Sequence, residues 1–310
     1  MLKVAVVGLG KMGSLHARAW TEIPEVQLVG IIDRDNDLAK NLASRFKIKV
    51  YKSIKQLAEA GVEAVSICTP TTTHCQLGLE ALDLGLHTLI EKPIASTVED
   101  GKKLIAKAEK TKLKLMIGHI ERFNPAVMTL KKEIEGKEDE IISINITRVG
   151  PLPPRINDVG IIVDLSVHDI DLIAYLAKSD FAKIYSLSSA SKNKKEDMAI
   201  LSFKMANNIL ASINTNWLTP YKLRMISIAT KKRLLEANLM AQSVTEYSHY
   251  QRDSSRYFVK SIFVPFGEPL YLELQAFARA IVENQPVPVS AKEGLKVLEV
   301  AAKCAQSVQK

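Results

Sequence analysis

The chain has 310 residues, of which 47% are hydrophobic and 25% charged, and its formal net charge is +8. This composition is typical of a globular protein, excludes a disordered one, and the length suits two domains. The positive charge alone would permit nucleic-acid binding. However, aromatic residues make up only 6% and the lysines are scattered, so we expect a solvated basic surface without a nucleic-acid partner.

The cysteines and the start of the chain indicate where the protein works. Cys68, Cys75 and Cys304 form no CxxC pair, which predicts a reduced protein without disulfides or a zinc site. The first predicted strand starts at Leu2, so we expect no signal peptide. No apolar run approaches the ~18 residues that a membrane span needs. We therefore expect a cytoplasmic protein with no membrane partner.

The first third of the sequence alternates short apolar strands with helices, which predicts a parallel sheet covered on both faces. Asp35, Ser53 and Thr73 are predicted to cap helices at their N-termini. We predict strands at 2–8, 26–33, 48–51, 62–69, 86–91 and 112–118, and helices ending near 20 and spanning 37–46, 54–60, 73–85 and 98–111.

A glycine-rich turn follows the first strand as Gly8-Leu9-Gly10-Lys11-Met12-Gly13 and opens a helix. Glycines at these places permit a tight turn, close approach of a pyrophosphate, and close helix–strand packing. Asp33 ends the second strand twenty residues after Gly13, where an acid would accept hydrogen bonds from a ribose 2′-OH. This pattern predicts a dinucleotide site and favours NAD. The alternatives are NADP, which Arg34 could accommodate, and a glycine turn with no ligand.

Ligands of doubly wound sheets bind at the carboxyl ends of the strands. The fourth strand ends in Thr69-Pro70-Thr71-Thr72-Thr73-His74, the fifth in Glu91-Lys92-Pro93, and the sixth in a segment from Gly118 to Pro125. Pro93 restricts the backbone of Lys92, so its side chain is directed. The predicted cofactor contacts are Gly8, Gly10, Lys11, Met12, Gly13, Asp33, Arg34, Thr69, Pro70, Thr71, His74, Glu91 and Lys92.

The motifs GLGKMG, CTPTTTH, EKP and GHIERFNP, in this order and spacing, resemble the Gfo/Idh/MocA family of sugar and cyclitol dehydrogenases. The resemblance implies an NAD-binding Rossmann domain over 1–120 and a second domain over 121–310 that binds substrate and forms a homodimer or homotetramer. It implies contact through an open sheet, with Ile144, Ile146, Leu210 and Ile213 as exposed face residues.

After Pro125 the pattern changes to successive strands, which predicts a second α/β domain with an open, mainly antiparallel sheet. A tight turn is predicted at Asn207-Asn208. We predict helices at 126–135, 164–177, 270–284 and 291–306, and strands at 139–149, 181–191, 196–205, 208–217, 222–230 and 232–239.

Asp164, His168 and Asp171 stand at i, i+4 and i+7 in an apolar segment, which predicts that they share one helical face. Polar groups there need partners or a role, and three interpretations are catalysis, a self-satisfied Asp–His pair, and a metal site. We favour catalysis and expect no metal. The arrangement D-x-x-x-H-x-x-D matches a second motif of the family, although Ser166 stands where members often have glycine.

By this resemblance, Lys92, Asp164 and His168 form the catalytic group. The Lys92 ammonium would stabilise alkoxide charge, and Asp164 would hold Lys92 or the substrate. His168 is suited to accept the hydroxyl proton, since histidine ordinarily titrates near pH ~6.5. The choice of formal base between His168 and Lys92 stays open, with a preference for His168.

Arginines before the catalytic segment suit phosphate recognition, because their planar fork binds bidentately. Arg148 and Arg155 lie in that stretch, and each has surface exposure as an equal alternative. The predicted substrate contacts are Lys92, Arg122, Asn124, Arg155, Asp164 and His168.

Three longer segments narrow the substrate prediction. GHIERFNPAV, GPLPPRINDVGIIVDLSVHDID and NWLTPYK are together similar to the UDP-N-acetylglucosamine 3-dehydrogenases, a branch that oxidises the sugar C3 hydroxyl with NAD. The partner would then be a sugar or nucleotide sugar. The alternatives are an inositol or free-aldose dehydrogenase and a non-catalytic NAD(P)-sensing regulator.

Overall fold

The structure is a computed structural model that describes residues 1–152, 160–191, 195–249 and 256–306. It contains two compact units. The first unit comprises Met1–Ile120 and Glu268–Leu298, and the second comprises the described residues of Glu121–Gly267 and those after Leu298. The predicted boundary after residue 120 falls where the chain passes from one unit to the next. In contrast to the prediction, the segment 268–298 belongs to the first unit.

The first unit contains a six-stranded parallel sheet in the order β3-β2-β1-β4-β5-β6. The order reverses between β1 and β4, which confirms the doubly wound Rossmann fold. Its strands are β1 (Leu2–Val7), β2 (Val26–Ile32), β3 (Lys49–Val50), β4 (Ala64–Ile67), β5 (His87–Glu91) and β6 (Leu115–Gly118), and its first helices are α1 (Lys11–Glu22), α2 (Asn36–Phe46), α3 (Ile54–Glu59), α4 (His74–Asp83) and α5 (Val98–Thr111).

Two of the three predicted N-caps are confirmed. The Asp35 side chain accepts hydrogen bonds from the first turn of α2, and the Ser53 hydroxyl accepts one from Gln56 at the start of α3. The prediction that Thr73 caps α4 is wrong, because its hydroxyl instead donates to Thr69 Oγ1 at 2.7 Å and lies 2.8 Å from the Pro70 carbonyl oxygen. Thr73 therefore stabilises the loop after β4 rather than the helix.

Two late elements complete the first unit. The helix α8 (Pro269–Val282) packs on α1, and Arg18 forms an ion pair with Glu268 just before α8. The Ile117 amide donates to the Val289 carbonyl at 3.2 Å. The helix α9 (Ala291–Gln306) follows, and its residues up to Leu298 belong to the first unit. These contacts between distant parts of the sequence explain why 268–298 returns to the first unit.

The second unit contains an eight-stranded sheet in the order β14-β13-β12-β11-β7-β10-β9-β8. Only the β7–β10 pair is parallel among the described strands, so the predicted mainly antiparallel sheet is confirmed. Its helices are α6 (Pro125–Ile134) and α7 (Val167–Ala177), and its strands are β7 (Ile141–Pro151), β8 (Phe181–Ser189), β9 (Met198–Met205), β10 (Leu210–Asn216), β11 (Leu218–Thr230), β12 (Arg233–Asn238), β13 (Ser243–His249) and β14 (Tyr257–Ile262).

Three of the four side chains predicted to be exposed on this sheet are buried. Ile144, Ile146 and Ile213 are buried, and only Leu210 is exposed. Alternate side chains of a strand point to opposite faces, and these isoleucines lie on the face of β7 and β10 that α7 covers. The opposite face exposes Leu210 together with other large apolar side chains, namely Tyr185, Leu187 and Ile200.

Within the described part of the chain, every helix is too short or too polar to cross a lipid bilayer.

Candidate active site

The glycine-rich turn has the shape that the sequence predicts. Gly8 has φ +88°, a conformation that favours glycine, and an added Cβ would lie 2.7 Å from Thr69 Cγ2. A Cβ on Gly13 would overlap the carbonyl oxygen of Gly8. In contrast, a Cβ on Gly10 would meet no atom of the described structure within 4 Å. The space beside Gly10 is therefore open for a pyrophosphate, while the other two glycines allow the turn to pack.

The start of α1 is suited to an anion. No side chain caps this helix, and Lys11, Met12 and Gly13 form its first turn, where backbone N–H groups and the helix dipole favour negative charge. Lys11 adds a positive charge, whereas Met12 is only partly exposed. This arrangement fits the phosphates of a dinucleotide.

Asp33 lies next to the glycine turn and is linked to it directly. Its carboxylate accepts a hydrogen bond from the Leu9 amide and another, at 2.8 Å, from the Asp35 amide. An ionised carboxylate has further lone pairs, so Asp33 can also accept from a ribose hydroxyl. The adjacent Arg34 is exposed. These residues fit the adenosine half of NAD.

The loop after β4 is joined to the end of β5 by His74, which is 1% exposed. One ring nitrogen lies 2.9 Å from the Pro93 carbonyl oxygen, and the other lies 2.9 Å from the Thr69 carbonyl oxygen. Burial lowers the pKa of His74, and the two carbonyl contacts offset part of this effect. The geometry favours a bracing role for His74 over a direct cofactor contact. Pro70 and Thr71 are more exposed in the same loop.

Glu91 and Lys92 differ sharply in their surroundings at the end of β5. The Glu91 carboxylate is buried, and its Oε1 lies 2.9 Å from His16 Nε2 on α1. Its Oε2 accepts a hydrogen bond from the Lys92 amide at 3.3 Å. Burial raises the pKa of the Glu91 carboxyl, but the His16 hydrogen bond and the charges of His16 and Lys92 bring it below its usual value. Lys92 is partly exposed and is followed by a cis peptide bond to Pro93.

The predicted catalytic helix begins with an irregularity. Asp164 lies in a π-helical turn at Ile162–Ser166, and His168 is the second residue of α7. Single π-helical turns occur often at functional sites. Both side chains are partly exposed, whereas Asp171 is buried. Asp171 therefore differs in its surroundings from Asp164 and His168, although the spacing predicts that all three share one helical face.

Asp171 is instead the partner of Arg122. The guanidinium donates two hydrogen bonds to the Asp171 carboxylate, at 2.8 and 2.7 Å, and lies 4.8 Å from the centre of the Tyr175 ring. Asn124 caps α6 and donates to the Leu239 carbonyl at 3.0 Å. Both Arg122 and Asn124 are buried, so the structure favours a packing role over the predicted substrate contact. Arg155, the remaining predicted arginine, lies outside the described residues.

Arg148 belongs to a second buried charge network that the sequence did not reveal. It donates to Asp169 at 2.8 Å and to Glu121 at 2.8 Å, and Arg224 donates to the same Glu121 oxygen at 2.9 Å. Burial raises the pKa of Asp169 to about 6, against the opposing effect of Arg148. Because Asp169 directly follows His168, this network fixes the backbone that carries the predicted base.

His16 and Glu273 were also missed. Both are buried, and one polar atom of each lies within 4.8 Å of a polar atom of Glu91 and of the other. The signal in the sequence is weak, because a histidine three residues after Gly13 and a glutamate on a late helix give no indication that they meet. They are the only cluster of three or more His, Cys, Asp or Glu side chains at metal-binding spacing in the described ranges.

Comparison with known proteins agrees with this geometry. Residues 2–119 match the model of an oxidoreductase family with an NAD-binding Rossmann fold, and residues 135–235 match the GFO/IDH/MocA C-terminal domain. The protein thus belongs to the NAD-binding oxidoreductases. More particularly, the chain is a member of the Gfo/Idh/MocA family of oxidoreductases.

Two relatives illustrate the range of the family. A UDP-N-acetylglucosamine 3-dehydrogenase of Acidithiobacillus ferrooxidans is 28% identical, with 99% of this chain and 97% of that protein covered. Its solved structure matches with a TM-score of 0.92, 28% identity, and coverage of 99% of this chain and 98% of that one. A scyllo-inositol 2-dehydrogenase (NAD+) of Bacillus subtilis is 27% identical, with 93% of this chain and 88% of that protein covered.

Proposed function

We propose that this protein oxidises the C3 hydroxyl of a UDP-N-acetylhexosamine to the 3-keto sugar, with NAD as the hydride acceptor. The observation that carries the proposal is end-to-end similarity to a UDP-N-acetylglucosamine 3-dehydrogenase in both sequence and structure. The open space beside Gly10 and the position of Asp33 support NAD as the cofactor. Asp33 would also repel a 2′-phosphate, so NADP is the poorer cofactor.

In the proposed reaction, Lys92, Asp164 and His168 act on the same substrate. NAD, when bound, supplies the acceptor for the hydride that leaves the sugar carbon. His168 accepts the hydroxyl proton, so the C–H and O–H bonds break as the carbonyl forms. The Lys92 ammonium stabilises the developing alkoxide charge, and Asp164 orients Lys92 or the sugar by charge-assisted hydrogen bonds.

Substrate choice is tested by mixing the protein and NAD with one candidate at a time and following NADH absorbance. We expect turnover with UDP-N-acetylglucosamine. Inositols are the second candidate class, because the scyllo-inositol dehydrogenase is nearly as similar in sequence. Clear turnover of scyllo-inositol or myo-inositol with none of any UDP-N-acetylhexosamine would replace the proposed substrate.

We further propose that the protein forms a homodimer or homotetramer through the exposed sheet face of the second unit. This face presents Leu210, Ile200, Leu187 and Tyr185, and large exposed apolar patches mark interaction surfaces. Light scattering should give two or four times the chain mass, and Leu210→Asp should reduce it. The three free cysteines support our proposal that the protein works in the reducing cytoplasm.

A further inference from the structure

A buried triad of polar side chains lies in the first unit and has no role in the mechanism above. It consists of His16 on α1, Glu91 at the end of β5 and Glu273 on α8. His16 and Glu273 are fully buried, and Glu91 is 7% exposed. Burying an imidazole and two carboxyl groups is costly unless they are paired and hydrogen-bonded.

The hydrogen bonds of the triad lead directly to Lys92. Ionised carboxylates only accept hydrogen bonds, so His16 Nε2 donates to Glu91 Oε1, at 2.9 Å. The other carboxylate oxygen, Oε2, accepts from the Lys92 backbone amide. Glu91 therefore connects the imidazole of α1 to the main chain of the proposed catalytic lysine.

The structure leaves Glu91 little room to move. Gly118 on β6 lies so close that a Cβ there would be 3.3 Å from Glu91 Cα, Cδ and Oε1. Glu273 approaches from α8, whose start is held to α1 by the ion pair between Arg18 and Glu268. The helix α1, the strand β6 and the helix α8 thus enclose the Glu91 carboxylate and fix its orientation.

We propose that His16 is a positioning residue that holds Glu91 as a carboxylate and thereby fixes the backbone that directs Lys92. The inference rests on the proposed function, because it assumes that Lys92 serves the reaction. Glu91, the glutamate of the EKP motif, then acts inside the protein by holding the backbone of Lys92, and not as the predicted cofactor contact.

The protonation of Glu91 makes this inference testable through the pH dependence of kcat. Burial raises the pKa of Glu91, and the His16 hydrogen bond is the largest effect that lowers it. Without His16, its hydrogen bond and charge no longer offset burial, so the pKa of Glu91 would rise and a larger share of Glu91 would be protonated at a given pH. The titratable groups that face Glu91 are His16, Cys68, His74, Lys92 and Glu273.

The experiment compares His16→Leu and His16→Gln with the unchanged protein in NAD and UDP-N-acetylglucosamine, from pH 6 to pH 9. A small displacement of a catalytic group can lower kcat about 100-fold, so we expect His16→Leu to lose about 10- to 100-fold at pH 7. The ratio of variant to unchanged kcat should rise with pH as Glu91 ionises, while the KM for NAD stays within about 3-fold. His16→Gln keeps an N–H donor and should restore most of kcat.

Two more variants keep the test decisive. Glu91→Gln imitates a permanently protonated carboxyl, so its kcat should be low and should not recover at high pH. Trp20→Phe is the matched control, because it removes another buried hydrogen bond of α1, from Trp20 Nε1 to Ser66 Oγ at 2.9 Å. It should lower the melting temperature and leave kcat and its pH dependence unchanged.

The inference is overturned if His16→Leu keeps the normal kcat and pH profile, or if its loss is independent of pH. Should His16→Leu not fold, normal kcat in Glu91→Gln overturns it instead. Loss of activity on treatment with EDTA, with one bound metal ion per chain, would also overturn it in favour of a metal site. If Lys92→Met itself keeps full activity, then the proposed function fails, whatever the His16 variants do.

Discussion

Lys92 and His168 lie in different structural settings. Lys92 follows a parallel strand directly after the buried Glu91, whereas His168 is the second residue of a helix that follows a π-helical turn, and it precedes the buried Asp169. Each partly exposed residue is thus adjacent to a buried acid with fixed hydrogen bonds. This arrangement holds the backbone still at the two residues that we propose to act on the substrate.

Replacing each residue separately tests their proposed roles. We expect Lys92→Met to lower kcat about 100- to 1,000-fold, because the alkoxide loses a charged hydrogen-bond donor. We expect His168→Ala to lower it about 100- to 10,000-fold, because the general base is lost. The kcat of His168→Ala should also lose its fall at acid pH, since no imidazole remains to be protonated. The measurement is kcat from pH 5 to pH 9 by NADH absorbance.

NAD binding, measured by calorimetry, is the control for both variants and should persist. Near-normal turnover in His168→Ala would remove His168 as the base and leave Lys92 as the candidate.

Some roles of single residues could be predicted from the sequence and others could not. The position of Asp33 beside the glycine turn was predictable because it depends on nearby sequence, namely the turn itself and the end of β2. Arg122 was not, because its carboxylate partner, Asp171, lies 49 residues away. A local pattern shows that an arginine is present but not which buried acid it meets.

At the scale of elements, the turn from β1 to α1 assigns different tasks to its glycines. Gly13 allows the helix to pack on the turn itself, whereas Gly10 borders open space. Packing and ligand binding are therefore separable by mutation.

Alanine substitutions at these two positions form a matched pair. Gly13→Ala should destabilise the protein by roughly 3 kcal/mol or more, because the backbone must shift to admit a Cβ. Gly10→Ala should leave the melting temperature of the free protein nearly unchanged, since Gly10 has φ −55° and its Cβ would meet nothing. Its Kd for NAD should rise about 10-fold or more, because the methyl group takes the space of the pyrophosphate.

Thermal denaturation with and without NAD measures both effects of the pair, since ligand binding raises the melting temperature. A Gly13→Ala variant as stable as the unchanged protein, or a Gly10→Ala variant that binds NAD normally, would contradict the assignment.

The strands that the sequence analysis missed show the limit of hydrophobic pattern. β13 and β14 lie at one edge of the second sheet, and the residues of β14 are mostly exposed. A strand without a buried face has no alternation of apolar and polar residues, so nothing distinguishes it from a loop. The strands β7 and β10 were predicted correctly because each has a buried face, which gives its sequence an apolar pattern.

At the scale of the whole molecule, chain order did not predict which unit each helix joins. α8 follows the second sheet in sequence but packs on α1 of the first unit. Its Glu273 then lies beside the buried His16 and Glu91. The assignment depends on contacts between residues more than 200 positions apart, which periodicity and composition do not encode.

In the proposed reaction, hydride leaves C3 of a UDP-N-acetylhexosamine and is accepted by NAD. The most direct measurement uses UDP-N-acetylglucosamine with deuterium at C3 and analyses the reduced nicotinamide by mass spectrometry. We predict one deuterium per reduced nicotinamide and a 3-keto nucleotide sugar as the product. Reduced nicotinamide without deuterium, or no reaction while an inositol is oxidised, would contradict the claim.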